Sequence, residues 1–138
     1  MKRAFIFLIG VALAAPMAAD SAKPKKPHLD LRASPRMAFS PVVIHLTAEV
    51  VGGEDTEEFY CPEIEWTWDD GGRSVQEPDC PPFAEGTKIE RRYSAEHEYP
   101  HSGVFQIKVT MRHGNTTLAA NTVRVTVRPG AGDQAQEQ

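Results

Sequence analysis

Apolar residues recur at every second position over most of the chain, the period of strands with one face on a core, not the 3.6-residue period of helices. Pro41 to Val50 sets Val42, Ile44, Leu46, Ala48 and Val50 on one side and Val43, His45, Thr47 and Glu49 on the other. Glu63 to Asp69 repeats the scheme, with Ile64, Trp66 and Trp68 inward and Glu63, Glu65 and Thr67 outward. Val104 to Met111 alternates Phe105, Ile107, Val109 and Met111 with Gln106, Lys108 and Thr110, and Thr122 to Arg128 alternates Val123, Val125 and Val127 with Arg124, Thr126 and Arg128. Weaker strands are expected at Leu29 to Ala33 and Lys88 to Tyr93, with His113-Gly114-Asn115 turning the chain between the last two strong ones. No segment offers a helix of useful length. Short strands with polar outer faces and Gly, Pro and Asp between them predict an all-β fold, a two-sheet antiparallel sandwich of the immunoglobulin-like kind with about seven strands. Trp66 and Trp68 share the parity of Ile64, so they are expected in the core and not on an outward, sugar-stacking surface.

The two ends of the chain break this pattern. Lys2 and Arg3 precede an apolar run from Ala4 to Ala15, too short for a membrane span and suited to a secretory leader. Residues 1–22 are therefore expected to be a signal peptide, cut between residues 14 and 23, leaving no transmembrane segment. Lys23, Lys25 and Lys26 among Pro24 and Pro27 form a basic, extended linker over residues 23–27. The sandwich is expected over residues 28–129. Residues 130–138 (GAGDQAQEQ) hold nothing larger than Ala to bury and are expected to be a disordered tail. With 138 residues in all, no second domain has room. Removing Lys2, Arg3 and Asp20 from 15 basic and 19 acidic residues leaves 13 against 18, a net −5. That acidic balance excludes the basic footprint of a nucleic-acid binder.

Two segments carry a family resemblance. Trp66-Thr67-Trp68-Asp69-Asp70-Gly71 resembles the W-D-F-G-D-G strand end of polycystic-kidney-disease (PKD) domains, immunoglobulin-like extracellular modules. The stretch from His97 through Tyr99, Gly103 and Phe105 to Val109 resembles that family's H-x-Y-x-x-x-G-x-Y-x-V-x-V segment, with Phe105 for the second Tyr. The likeness spans residues 28 to 128. Thr67, Trp68 and Asp69 depart from it, standing for Asp, Phe and Gly, and residues 73–86 are longer than its pattern. The resemblance implies a non-catalytic interaction or structural module at the cell envelope, with an unknown protein or polysaccharide as partner. The matched residues also have structural roles on physical grounds. Asp70 and Gly71 suit a tight turn, Tyr99 suits a tyrosine corner, His97 a local hydrogen bond, and Gly103 a position of positive φ.

His97-Glu98-Tyr99-Pro100-His101 also satisfies the zinc-protease pattern H-E-x-x-H. That motif requires a helix, which brings both imidazoles to one metal, whereas Pro100, Gly103 and the onward alternation point to a strand. A small zinc-dependent hydrolase using His97, Glu98 and His101 is the alternative to the binding module. Cys61 and Cys80 are the only cysteines, and in an oxidising compartment an even count favours a disulfide. It would close a loop of about twenty residues and contribute on the order of 3 kcal/mol. Flanking it are two acidic loops, residues 52–60 and 73–86. Glu54, Asp55, Glu57, Glu58 and Asp79 beside Phe59, Tyr60 and Phe83 form the candidate binding surface, with Glu77 and Glu85 as further oxygen ligands, and the alternative is a solvated acidic rim whose aromatics cap the core. No cofactor is expected. Calcium is conceivable from the carboxylates, although no ordered D-x-D spacing appears. Asn115-Thr116-Thr117 is a sequon that matters only in a eukaryotic secretory pathway.

Export and oxidation predict a recovered chain that begins between residues 15 and 23 and has no free thiol. Intact-mass measurement with and without alkylation tests this, and labelling of both cysteines in denatured, unreduced protein would refute the disulfide.

Overall fold

The computed structural model describes residues 26–134, so the expected leader and most of the basic linker lie outside the described residues. Eight strands follow in order: β1 His28–Ser34, β2 Met37–Phe39, β3 Val42–Val51, β4 Glu63–Thr67, β5 Arg73–Gln76, β6 Arg92–Tyr99, β7 Gly103–His113 and β8 Thr116–Arg128. A single 3₁₀ turn, Glu57–Phe59, precedes β4, and a four-residue helix, α1 (Ala131–Gln134), closes the described chain. Among the described residues, no helix is long and apolar enough to cross a membrane.

Two sheets pack face to face, one ordered β1-β3-β6 and the other β2-β8-β7-β4-β5. The expected all-β, two-sheet architecture is therefore present. The strands number eight, however, and the sheets are not wholly antiparallel, because β2 runs parallel to β8 with Met37 opposite Thr126 and Phe39 opposite Arg128. β1 lies in the three-stranded sheet, so residues 35 and 36 carry the chain across to the other. Three apolar or polar residues are too few to show a period, and β2 escaped prediction for that reason. β5 was expected as loop, since its Arg-Ser-Val-Gln sequence has no buried face. The strand expected over Lys88 to Tyr93 is instead β6, displaced because its inward positions include Ala95 and His97, which weaken the apolar signal.

Ile44, Leu46, Ala48 and Val50 of β3 meet Ile64 and Trp66 of β4, Ile107, Val109 and Met111 of β7, and Val123, Val125 and Val127 of β8 in one buried cluster. Trp66 and Trp68 are 0% and 1% exposed, with rings 5.9 Å apart and nearly parallel. Their large apolar surfaces make them major contributors to the core. Asn121, on the inner side of β8, donates from Nδ2 to the Leu29 carbonyl at 2.8 Å and ties the two sheets at one side. Gly114, at φ 59°, makes the turn between β7 and β8 as expected.

The segment after β8 departs from expectation. Residues 130–134 are no loose tail but a latch across the end of the sandwich. The Gly130 and Gly132 amides donate to Ser40 Oγ and the Ser40 carbonyl at 3.0 and 3.3 Å. Asp133 accepts from the buried Ser40 hydroxyl and from the Ser102 amide, the latter at 2.9 Å. A Cβ added at Gly130 or Gly132 would collide with the carbonyl oxygens of Ser40 and Pro100, so only glycine lets the backbones approach. Composition hid this, because the latch is made of main-chain contacts and one carboxylate, not of buried carbon.

The Asp133 carboxyl is held down to about 2 from an ordinary 3.8, first by the Ser40 hydroxyl and then by the Ser102 amide, against a smaller opposing effect of burial. A lowered folded value stabilises the latched form above the ordinary pKa, and the stabilisation is lost as pH falls through about 2. Amide exchange at Ser102 and Gly130 should therefore accelerate, relative to core amides, as pH drops from 4 toward 2. Gly132→Val should produce the same local release at neutral pH.

Candidate functional site

The two sequence segments that carry the family resemblance converge at one end of the sandwich. After β4 the chain turns through Asp69 at φ 65° and Gly71 at φ 91°, and Trp68 N–H donates to the Gly72 carbonyl at 3.2 Å. Asp70 stabilises this turn by accepting from the Gly72 amide through Oδ1 at 2.9 Å. Its Oδ2 lies 2.6 Å from Nε2 of His97, on β6 in the opposite sheet. The His97 ring stacks on Trp68, centroids 4.4 Å apart and planes 4° from parallel. Tyr99, two residues on, donates its hydroxyl to the Trp68 carbonyl at 2.7 Å, and its ring meets Phe105 of β7 at 4.1 Å. Asp69 accepts the Gln106 amide at 2.9 Å, completing the connection.

These contacts give each matched residue a structural partner. Burial, reinforced by the Asp70 and Asp69 carboxylates, pushes the Tyr99 phenol far above its ordinary range, so it stays a neutral donor. Burial also acts to raise the Asp70 carboxyl, but the His97 hydrogen bond, the Gly72 amide and the charge on His97 outweigh it, and the net shift is downward. Gly103 differs from expectation: its φ is not positive. What demands glycine there is Phe105, whose ring covers the position so closely that a Cβ would lie 2.8 Å from its Cζ.

The H-E-x-x-H pattern lacks the helix it needs. His97 and Glu98 belong to β6 and alternate across the sheet, His97 half-buried and Glu98 exposed, while His101 lies in the bend that follows. Among the described residues, no three His, Cys, Asp or Glu side chains are grouped so as to hold a metal ion.

At the opposite end, Cys61 and Cys80 are joined, with Cα atoms 6.1 Å apart. Arg91 organises the first acidic loop by donating to the Gly52 carbonyl at 2.9 Å and to Asp55 at 3.1 Å. Glu58 is held through its carbonyl by His113 Nδ1 at 2.8 Å, whereas the Glu54, Glu57 and Glu58 side chains face solvent. Phe59 is 7% exposed and belongs to the core, which removes it from the candidate binding surface and accords with the alternative in which the aromatics cap the core. Tyr60 bridges to the second loop, its hydroxyl donating to the Pro81 carbonyl at 2.6 Å and its ring meeting Phe83 edge-on at 5.3 Å. Asp79, next to the disulfide, borders a hollow of about 220 Å³ with Tyr60, Pro62, Lys88 and Tyr93.

That hollow adjoins a cleft of about 380 Å³ between β5 and β6, sharing Pro78, Glu90 and Tyr93 with it. β5 and β6 end their respective sheets, so their outer edges border the cleft, bridged once by Gln76 Nε2 donating to the Ser94 carbonyl at 3.1 Å. Ile64 forms its floor, and Glu77, Glu90 and Arg92 supply charge. Tyr93 donates to the Glu90 carbonyl at 3.1 Å, and burial, aided by the Glu90 charge, raises its phenol to about 12. Sequence reasoning placed none of Gln76, Glu90, Arg92 or Tyr93 in a site, since nothing in a linear pattern tells which strands end a sheet.

No protein-family model matches the chain, and no curated protein matches it.

Tyr99→Phe should leave the Trp68 carbonyl without its donor in a buried setting, destabilising by about 1–3 kcal/mol with the ring packing intact. Chemical denaturation of the two proteins measures this, and equal stability would remove the hydrogen bond from the account.

Proposed function

We propose that this chain is an exported, non-catalytic binding or structural module of the cell envelope, secreted, periplasmic or extracellular, built on an immunoglobulin-like sandwich of the PKD type. The PKD reading is supported by the meeting of both motif segments in one corner, where Tyr99 of the second donates to the Trp68 carbonyl of the first, a bond across the sheets and not to nearby backbone as in a tyrosine corner. The immunoglobulin-like reading is supported by a first strand divided between the sheets, with β2 lying parallel to the last strand. In this reading His97, Asp70, Tyr99, Gly103 and Phe105 brace the corner and hold no metal, and binding falls to the disulfide side.

One observation carries the choice of surface: the cleft of about 380 Å³ between two open strand edges, flanked by the acidic loops. Open edges offer main-chain donors and acceptors to an extended chain, and mixed charges at Glu77, Glu90 and Arg92 offer side-chain selection. The partner is a protein segment or a polysaccharide that lies along the edges.

Affinity capture from the native envelope extract, followed by titration with the purified partner, tests the reading. Arg92→Glu and Glu77→Lys should each weaken the partner at least tenfold while the melting temperature holds. Binding indifferent to both changes would move the site elsewhere, and stoichiometric zinc lost on His101→Ala would replace the module with a hydrolase.

A further inference from the structure

The outer face of the five-stranded sheet has a charge that the rest of the molecule does not. The chain carries a net −4 overall. On this face, Glu65 of β4 is engaged by Arg73 at 3.4 Å and Arg112 at 3.1 Å, and Glu63 stands opposite Arg112 in the register, so two acids balance two bases. Lys108, Arg124 and Arg128 point outward from β7 and β8, are exposed, and take part in none of the ion pairs among the described residues. The corner-end carboxylates keep their charge but are held by other partners, Asp69 by the Gln106 amide, Asp70 by His97 and Gly72, and Asp133 by Ser40 and Ser102, and none forms an ion pair with these three cations. The cationic surplus is thus left to solvent.

Apolar side chains sit in the same stripe. The sheet register places Met37, Thr126 and Val104 in one row across β2, β8 and β7, with Phe39 opposite Arg128 beside it. Met37 is 58% exposed, Phe39 65% and Val104 49%. Arg124 and Arg128 lie one pair either side of Thr126, about 13 Å apart along the strand. Large exposed apolar groups gathered between unpaired cations mark a contact surface, because each alone would be common and the cluster is not.

We propose that this face docks on an anionic membrane surface, with Lys108, Arg124 and Arg128 on acidic lipid headgroups and Met37, Phe39 and Val104 in the interfacial layer beneath them. Charge complementarity selects the partner, and the apolar side chains select its kind. An anionic polysaccharide would engage the three cations but offers no hydrocarbon to cover the exposed Met37, Phe39 and Val104. A second copy joined by two-fold symmetry would bring these cations against the same cations. A membrane of acidic lipids offers phosphate at the level of the cations and hydrocarbon below it. This surface is separate from the cleft between β5 and β6, so either site can fail without the other.

The test is sedimentation of the full chain, exported by and recovered from its expression host, with vesicles of pure phosphatidylcholine or of equal parts phosphatidylcholine and phosphatidylglycerol. Partition onto the acidic vesicles should exceed that onto the neutral ones and fall as salt is raised. Arg124→Glu with Arg128→Glu should reduce it about 30-fold or more, since each basic residue near an acidic surface contributes about fivefold. Phe39→Ser should reduce it with net charge unchanged, and Glu96→Gln, exposed on β6 of the opposite sheet, should leave it as it was. All variants retain Lys23, Lys25 and Lys26 and whatever leader remains, so their differences report the face alone. Melting temperatures confirm folding, and if the double reversal unfolds, Lys108→Gln and Arg124→Gln take its place. Equal partition onto both vesicle types, indifference to the Arg changes, or retention by soluble alginate in place of vesicles would each overturn the proposal.

Discussion

The hydroxyl of Tyr99 reaches from one sheet to the Trp68 carbonyl of the other, and the corner end of the molecule is arranged around that bond. A carbonyl buried at the end of β4 has no water to accept from, so without the phenol it would carry the full penalty of desolvation. Meeting it fixes the distance between the sheets, and with that distance fixed the His97 ring has room only flat against Trp68. Asp70 then faces the His97 nitrogen while its other oxygen caps the turn that made Trp68 inward-facing. Turn, stack and cross-sheet bond depend on one another, and the low local dielectric strengthens each. Trp66 Nε1, buried without a partner, shows that not every polar atom in this core has been accommodated.

Carboxylates at the two ends of the sandwich are used differently. Asp69, Asp70 and Asp133 are all committed at the corner end, where Arg124, Arg128 and Lys108 remain exposed on the neighbouring face. Around the disulfide the reverse holds, because Glu54, Glu57, Glu58 and Asp79 accumulate beside few cations, and Arg91 is spent on ordering the first loop. A chain acidic on average therefore has one sheet face richer in basic side chains than its disulfide end. Average charge decides solubility, whereas the separation of charge decides what each end can approach.

Much of this architecture was legible because its signals are local. Period-two alternation located β3, β4, β7 and β8 to within a few residues, since each buries one full face and the apolar side chains must then alternate. The burial of Trp66 and Trp68 followed from parity with Ile64 for the same reason. β2, β5 and the latch were not legible, because what defines them is a neighbour distant in sequence: β8 for β2, β4 for β5, and Ser40 with Ser102 for Asp133. Gly103 shows the middle case. Its need for glycine was readable, but the cause, crowding by the Phe105 ring two residues away on the same face, required the coordinates. Phe59 was misplaced by the same limit, since an acidic neighbourhood argues for exposure while one turn of 3₁₀ helix suffices to rotate the ring into the core.

The same geometry explains why the two candidate surfaces lie where they do. A sandwich closed by the Tyr99–Trp68 bond at one end and by Asn121 along one side has its remaining freedom at the opposite edge, where β5 and β6 end their sheets and a single side-chain bridge from Gln76 spans the gap. A disulfide between the strand approach and the long loop is well placed to hold that edge open, because it anchors Pro78 and the residues around it without filling the space between the strands. The broad sheet face follows a different rule. Main-chain donors and acceptors lie in the plane of a sheet, so its face has none to offer and can act only through side-chain chemistry. Recognition of an extended chain belongs to the edge and recognition of a charged plane to the face.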